Sequence, residues 1–397
     1  MAESNKFAHQ AIHHIRYLTE TIGGRGSCTQ ERRRAGEYIL QELQSMGIED
    51  RHIQSFNGFS STYAPFILAF GVATFGTLAA LFIPGKGSQL LAILLNSLGG
   101  WAMFAELDFQ PHWAKLLIRP KKTGNVLADI QPALLVKRHL VLCAHLDTHR
   151  TPIFYSSPTW HKLFSFLVLL ALISMVLGGL VFFLQNALDW AFLRWITAGI
   201  FPFQLFSLAL VVSADFTPHS PGANDNASGV GVIMGLAARL REEPLQTTAV
   251  RLLFTDCEET GSWGMRYYLE GYPQQPGEEW VFIVLDEVGL ENIIYLRADG
   301  LIRKHKTHPF ALNLAREASA RSPSIPITER LGLAYTDALP VTIRGIPAVT
   351  VCSVPRDPST AVSHWHQVSD RIEFVSSQAL DNSHRFVWEI MQDFDAG

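Results

Sequence analysis

Five residues of this chain combine metal-binding side chains with positions at or just past the ends of apolar runs: His145, Asp225, Glu259, Asp286 and His366. Two imidazoles and three carboxylates suit zinc, which binds both at about 2.0–2.2 Å. Two ions lying close together can share a carboxylate. Asp225, inside the stretch Ser-Pro-Gly-Ala-Asn-Asp-Asn-Ala-Ser-Gly (220–229), is the candidate bridge. A single histidine after a strand is more often structural, and a single strand-end aspartate more often caps the next helix. The ordered set is far more specific than any member.

Glu258 adjoins Glu259 at the end of an apolar strand, where two repelling carboxylates have no packing role. Glu259 is read as a ligand. Glu258 is read as the general base that takes a proton from water and later delivers it to the leaving amine. Asp147 lies two residues beyond His145; in extended backbone the two point the same way, so Asp147 can hold the imidazole in its ligating tautomer. Asp370 is expected either to do the same for His366 or to cap the segment that follows. His364 competes as a ligand, and the His-x-x-x-Asp spacing favours His366.

The elements that must position these residues alternate between helix and strand. Helical spacing predicts helices over 6–22, 30–46, 230–241 and 309–319, one starting at 263–268, and a closing helix over 378–391. Apolar runs at 124–130, 138–144, 249–255, 280–285 and 346–352 predict strands. The second of these is nearly all apolar, as a central strand covered on both faces should be. Together they imply an α/β three-layer sandwich with a mixed, largely parallel sheet. Ligands at strand ends then fall where open sheets of this kind place their chemistry. Arg32, Arg33 and Arg34 are read as a solvated helix face.

Between the pieces lie four uncharged runs: Phe66–Ile83, Leu90–Ala105, Leu163–Leu184 and Trp195–Ser213. Each pair reads as a membrane hairpin. Pro202 and Gln204 predict a kinked or protein-packed fourth helix. Residues 111–122 mix Trp113, Leu116, Leu117 and Ile118 with Lys115, Arg119, Lys121 and Lys122, as an interfacial segment would. The expected organisation is a catalytic domain of 1–62, 107–160 and 214–397, interrupted by hairpins at 63–106 and 161–213.

Composition agrees with membrane segments. Only 17% of residues are charged, against about 25% in soluble domains, and mean hydropathy is +0.14. A net charge of −4 gives no support to nucleic acid as a partner. The four cysteines, 28, 143, 257 and 352, form no Cys-x-x-Cys pair, which argues against a zinc ribbon and for a reducing compartment. The opening Met-Ala-Glu-Ser-Asn-Lys has no apolar core, so no signal peptide is expected.

The motifs Ala-His-Leu-Asp-Thr (144–148), Gly-Ala-Asn-Asp-Asn-Ala-Ser-Gly (222–229) and Asp-Cys-Glu-Glu-Thr-Gly-Ser-Trp-Gly (256–264) continue with Val-Leu-Asp-Glu-Val-Gly (284–289) and His-Gln-Val-Ser-Asp (366–370). In this order the chain resembles the co-catalytic di-zinc aminopeptidase family, which includes aminopeptidase Y-like enzymes, glutamate carboxypeptidase and glutaminyl cyclases. Gly-Arg-Gly-Ser (24–27) and Tyr-Thr-Asp…Gly-Ile-Pro-Ala (335–348) are weaker matches. The resemblance implies two zinc ions, one taking His145 and Asp286, the other Glu259 and His366, with Asp225 bridging. It implies amide hydrolysis by a zinc-bound hydroxide. Where some members place a Tyr before the last His, this chain has Trp365, which leaves Tyr335 as a candidate oxyanion donor. The chain also departs from the family in the long apolar insertion between His145 and Asp225.

All catalytic motifs must meet in one domain, so both hairpins leave and return on one side. Arg32–Arg34, Lys115, Arg119, Lys121, Lys122, Lys137, Arg138, Arg150 and Lys162 lie there, against Lys86 and Arg194 at the far turns. The positive-inside rule then puts the catalytic domain in the cytoplasm of an integral, four-helix membrane protein. The expected partners are the lipid bilayer and an amphipathic amide or peptide: an apolar peptide for an aminopeptidase, an N-acyl or lipid amide for an amidase. Glutaminyl cyclase-like acyl transfer and a non-catalytic membrane receptor or scaffold are the alternatives.

Overall fold

Alternate residues along the second predicted strand meet different partners. The computed structural model of the chain describes residues 2–188, 190, 192–271, 279–357 and 364–397. Its strands are β1 (Arg51–Gly58), β2 (Lys121–Ile130), β3 (Arg138–His145), β4 (Thr248–Thr255), β5 (Glu279–Leu285), β6 (Asn292–Asp299), β7 (His305–Lys306), β8 (Ile327–Leu331) and β9 (Ala348–Val354). On β3, Leu140, Leu142 and Ala144 pack with Ile15, Ile39, Ile233, Ala315 and Phe386, from the helices Ala2–Arg16, Gln30–Ser45, Gly229–Glu242, Pro309–Arg321 and Ser377–Ala396. Val141 and Cys143 face the other way, against Met265 and Val341 of the helices Trp263–Glu270 and Ala338–Ile343. Period-two alternation on a strand buried on both faces gives helix, sheet and helix in three layers.

Among the described residues the sheet runs β1-β2-β4-β3-β5-β9-β6-β7, with β8 on β6. The central strands β4, β3, β5 and β9 are parallel, and antiparallel pairs flank them. The carboxyl ends of β3, β4 and β5 therefore lie side by side, carrying His145, Glu258–Glu259 and Asp286 to one edge. The fold is the mixed α/β sandwich expected. The sequence signal missed β1, β7 and β8, which are short or polar, and also β6, whose Ile293–Leu296 run is as buried as the predicted strands. Two other expectations are corrected. Lys121 and Lys122 open β2 rather than ending an interfacial segment, whose helix is only Trp113–Leu117. Arg32 does not face solvent: it is 4% exposed, lies 3.3 Å from Asp256 and donates to the Gly124 carbonyl at 2.6 Å, while Arg33 and Arg34 are exposed.

The chain divides into two compact units. The first, Met1–Ser60, Pro120–Thr151 and Pro218–Gly397, holds the sheet. The second, Ser61–Arg119 and Pro152–Thr217, gathers both apolar hairpins. Among its described residues are four helices long and apolar enough to cross a membrane: Ala64–Phe82, Lys86–Leu107, Pro158–Leu188 and Leu193–Asp215, with mean hydropathies over 18-residue windows of 1.9, 1.5, 2.9 and 1.8. Residues 107–119 belong with these helices, not with the sheet. Their inner faces use small residues, which let helix backbones approach closely: Ala69, Ala73, Ala102, Ala171 and Ala214 are buried together. Outer faces expose Phe75, Leu94, Phe166, Val176 and Phe183. Fully buried between the helices, Thr77 donates to Gln204 (2.8 Å), Gln204 to Asn96 (2.8 Å) and Asn96 back to Thr77 (3.2 Å). This closed ring satisfies Gln204 on the helix that contains Pro202.

Candidate metal centre

The loop Ala223–Ser228 shows why its residue types recur in this pattern. Asn226 donates to the Leu285 carbonyl (2.8 Å) and accepts from the Gly229 and Glu287 amides. Asn224 accepts from the Gly289 amide at 2.8 Å, and Ser228 from the Val288 amide at 2.9 Å. These short polar side chains lace the loop to the segment after β5 and fix Asp225 beside Asp286. Gly222 must be glycine: its φ is +62°, and a Cβ would fall 2.3 Å from Thr148 and 2.4 Å from the Asp225 carbonyl.

Within this frame the predicted donors converge. His145 Nε2 lies 3.3 Å from Asp225 Oδ1 and 3.4 Å from Asp286 Oδ1. His366 Nε2 lies 3.1 Å from Asp225 Oδ2 and 3.4 Å from Glu259 Oε2. Asp225 thus turns one oxygen to each histidine. All five side chains are buried. Donors at 2.0–2.2 Å from a tetrahedral ion lie roughly 3.3–3.6 Å apart; three of the four spacings fall in this range, and His366 to Asp225, at 3.1 Å, is slightly closer. The residues present fit two zinc ions.

Electrostatics tells the same story. Burial pushes Glu258 and Glu259 well above the usual glutamate range, and neighbouring carboxylates, Asp286 for the first and Asp225 for the second, add to the shift. Burial also raises Asp286, against the opposing pull of His145. Asp225 goes the other way: burial would raise it, but hydrogen bonds from His145 and His366 hold it well below the aspartate range. So many buried carboxyls around two imidazoles call for cationic charge.

Two supporting roles differ from expectation. His145 Nδ1 donates to the backbone carbonyl of Asp147 at 2.9 Å, with the carboxylate at 3.7 Å. The Asp147 carboxylate instead accepts from Ser27 (2.6 Å) and from the Glu258 and Glu259 amides (3.2 Å each), so it shapes the turn that presents both glutamates. Asp370 accepts from the Asn224 and Asp225 amides at 2.8 and 3.0 Å, and thereby holds the Asp225 loop rather than the His366 ring. Burial raises it to about 7. His364 stays apart, bonded to Ser369 at 3.0 Å and stacked on Phe374. Tyr335 donates its hydroxyl to the Glu258 carbonyl at 3.2 Å.

Sequence reasoning missed two residues. Arg25, 1% exposed, donates to the carbonyls of Leu146, Leu18, Gly23, Pro221 and Gly222 at 2.7–3.1 Å. One guanidinium so joins the loop after β3 to the loop before Asp225. Its Gly-Arg-Gly-Ser setting was the sole signal. The second is His149. It gathers with Glu259 and His366, ligand atoms all within 4.8 Å, and its ring stacks on His366 at 3.7 Å and 13°. Rings so nearly parallel aim their lone pairs side by side, not at one point. His366, whose Nε2 faces Asp225 and Glu259, is therefore the ligand candidate. His149 donates from Nδ1 to the Arg150 carbonyl at 2.7 Å and braces the His366 ring. His149→Ala is expected to weaken zinc binding about 10-fold or more, while His149→Phe, which keeps the stack, stays close to wild type. Competition against a chromophoric chelator measures both.

Residues 207–391 match the model of Peptidase family M28. A stretch of 56 residues, 14% of this chain, is 43% identical to the probable lipoprotein aminopeptidase LpqL of Mycobacterium tuberculosis and spans 11% of that relative's length. Among solved structures, BSAP, a zinc aminopeptidase from Bacillus subtilis, superimposes with a TM-score of 0.59 at 14% identity, over 98% of this chain and 95% of its own. The glutaminyl cyclase of Porphyromonas gingivalis gives a TM-score of 0.56 at 15% identity over 98% of both chains. A Zn-dependent exopeptidase from Parabacteroides distasonis gives 0.55 at 14%, over 97% of this chain and 98% of its own. Residues 207–391 are thus similar to peptidase family M28, and the chain as a whole has a fold like that of zinc exopeptidases.

Proposed function

We propose that the chain is a membrane-embedded, zinc-dependent hydrolase of amide bonds, acting as an aminopeptidase or as an amidase of amphipathic N-acyl or lipid amides. One observation carries this reading: Asp225 and four further buried donors, each 3.1–3.4 Å from at least one other, with an additional carboxylate, Glu258, next in the chain to one of them. His145 and Asp286 would hold one zinc, Glu259 and His366 the other, and Asp225 would bridge. Bound there, the ions would acidify water, polarise the scissile carbonyl and offset the buried carboxylates.

The remaining work falls to the protein. Glu258 Oε1 is buried and has no hydrogen-bond partner among the described residues, so it is available to take the proton of the attacking water and pass it to the leaving nitrogen. Asp147 fixes the backbone of that glutamate. Tyr335 sits against its carbonyl and would have to leave that bond to reach an oxyanion.

The apolar helices support membrane embedding, and the distribution of Lys and Arg supports a cytoplasmic catalytic unit. In sequence, the site loops 145–149 and 220–226 adjoin the junctions at Thr151 and Pro218. That adjacency favours substrates that travel with the bilayer. The test uses purified protein in detergent, offered aminoacyl peptides, N-acyl amino acids and lipid amides with and without chelator. Chelator-sensitive release of free amine supports the hydrolase. Cyclised amino-terminal glutaminyl peptide instead would identify an acyl-transfer enzyme, the second reading, which the glutaminyl cyclase likeness favours. A periplasmic activity reporter fused after Gly397 is expected to stay silent, and its activity would overturn the cytoplasmic placement.

A further inference from the structure

We infer that Cys28 and Cys257 form a reversible oxidation site that controls the glutamate turn; its effect on turnover rests on the hydrolase reading above. The two sulfurs lie 3.3 Å apart, although the residues come from distant parts of the chain. Both are held in place by one side chain. Asp256 accepts the Cys28 amide on Oδ2 (3.4 Å) and the Cys257 amide on Oδ1 (2.7 Å). Both cysteines have left-handed backbone, φ 61° and 60°, unusual for residues with a Cβ. Cys28 is half-buried and open to a small reagent, whereas Cys257 is fully buried.

A metal is the weaker occupant. Besides the two amides, Asp256 already serves Thr123 and the Arg32 guanidinium, which leaves only two thiols to hold an ion. Two thiols in contact favour a disulfide. A low-molecular-weight disulfide supplies the oxidant. The Cys28 thiolate attacks it and releases one thiol, leaving a mixed disulfide. The Cys257 thiolate then attacks the Cys28 sulfur and releases the second thiol. Two protein thiols lose two electrons and two protons, and the reagent becomes two thiols.

Closing the bond to about 2.05 Å draws the sulfurs together by more than about 1 Å. Cys257 directly precedes Glu258, and Ser27, beside Cys28, holds Asp147, which caps the Glu258 and Glu259 amides. The bond therefore pulls on both supports of the base. A displacement of about 1 Å costs on the order of 10²-fold in rate.

The experiment treats the full chain in detergent with oxidised glutathione and maps its thiols by mass spectrometry. The expected result is a Cys28–Cys257 linkage, at least a tenfold fall in hydrolysis, and full recovery with dithiothreitol. Cys28→Ser keeps basal hydrolysis and ignores the oxidant. Free thiols at both positions after oxidation, or a linkage that leaves hydrolysis unchanged, overturns the inference. So does equal inhibition of Cys28→Ser. If the reduced protein hydrolyses nothing, the hydrolase reading fails by itself; mapping still decides whether the linkage forms, and zinc retention before and after oxidation decides whether it moves the turn.

Discussion

Glu258→Gln is expected to keep its zinc and lose 10²–10⁴-fold in turnover, the contribution typical of a general base. The amide has the shape of the carboxylate but cannot accept the proton. Its backbone should not move, because the Asp147 carboxylate holds the amide and Tyr335 holds the carbonyl. Zinc analysis alongside steady-state kinetics checks both halves, and activity within tenfold of wild type would remove Glu258 from the role. The same variant has a second signature in chelator-treated protein. Burial raises Glu258 above its unfolded value, so the folded state binds the extra proton more tightly. Stability from this group is full below the ordinary glutamate pKa and is lost as pH rises from there through the raised value. Thermal unfolding of the metal-free protein should therefore show a shallower loss of stability with rising pH for Glu258→Gln than for wild type.

Asp225→Asn should have an effect as large, by a different route. Wild type is expected to hold two zinc ions per chain, and the variant fewer than two, with hydrolysis reduced at least 10²-fold. Each oxygen of Asp225 faces a different histidine, at 3.3 and 3.1 Å. An asparagine must turn its NH₂ toward one half of the site, where a donor group meets a ligand position instead of a lone pair. It also removes the carboxylate that the two histidines hold ionised. Elemental analysis after gel filtration reads the outcome. Two zinc ions retained in the variant would deny Asp225 its bridging role, and a wild type without zinc would overturn the metal reading altogether.

How far the sequence reveals such a site depends on how local its causes are. His145, Glu259 and Asp286 were legible because each ends or closely follows a strongly apolar strand, and parallel strands bring such ends to one edge. Asp225 was singled out by the Asp-x-x-Ser-Gly pattern of its stretch, although the reason for Asn224, Asn226 and Ser228 emerges only with the 285–289 segment in place. His149 was not legible. Extended geometry relates residues two apart, but the strand ends at His145, and Ser220 donating its amide to the His149 carbonyl at 2.8 Å fixes where that ring ends up. Arg25 and Arg32 were hidden for a similar reason. A lone arginine in a glycine-rich loop, or one of three in a row, says nothing of the carbonyls or the carboxylate that will surround it.

Where the chain leaves the sheet-bearing unit at Thr151 and returns at Pro218, it is already closed on itself. The Thr151 amide and hydroxyl both donate to the Pro218 carbonyl at 3.0 Å, and Arg150 bridges His219 in antiparallel fashion. To the folding sheet, everything between those residues counts as one loop with tied ends. The entropy of closing such a loop grows only with the logarithm of its length, about 0.6 kcal/mol for each doubling. A whole helical hairpin can thus be threaded between two loops of the candidate site at a cost smaller than that of one misplaced buried charge, and grafts of quite different length at this junction should be tolerated by the unit that accepts them.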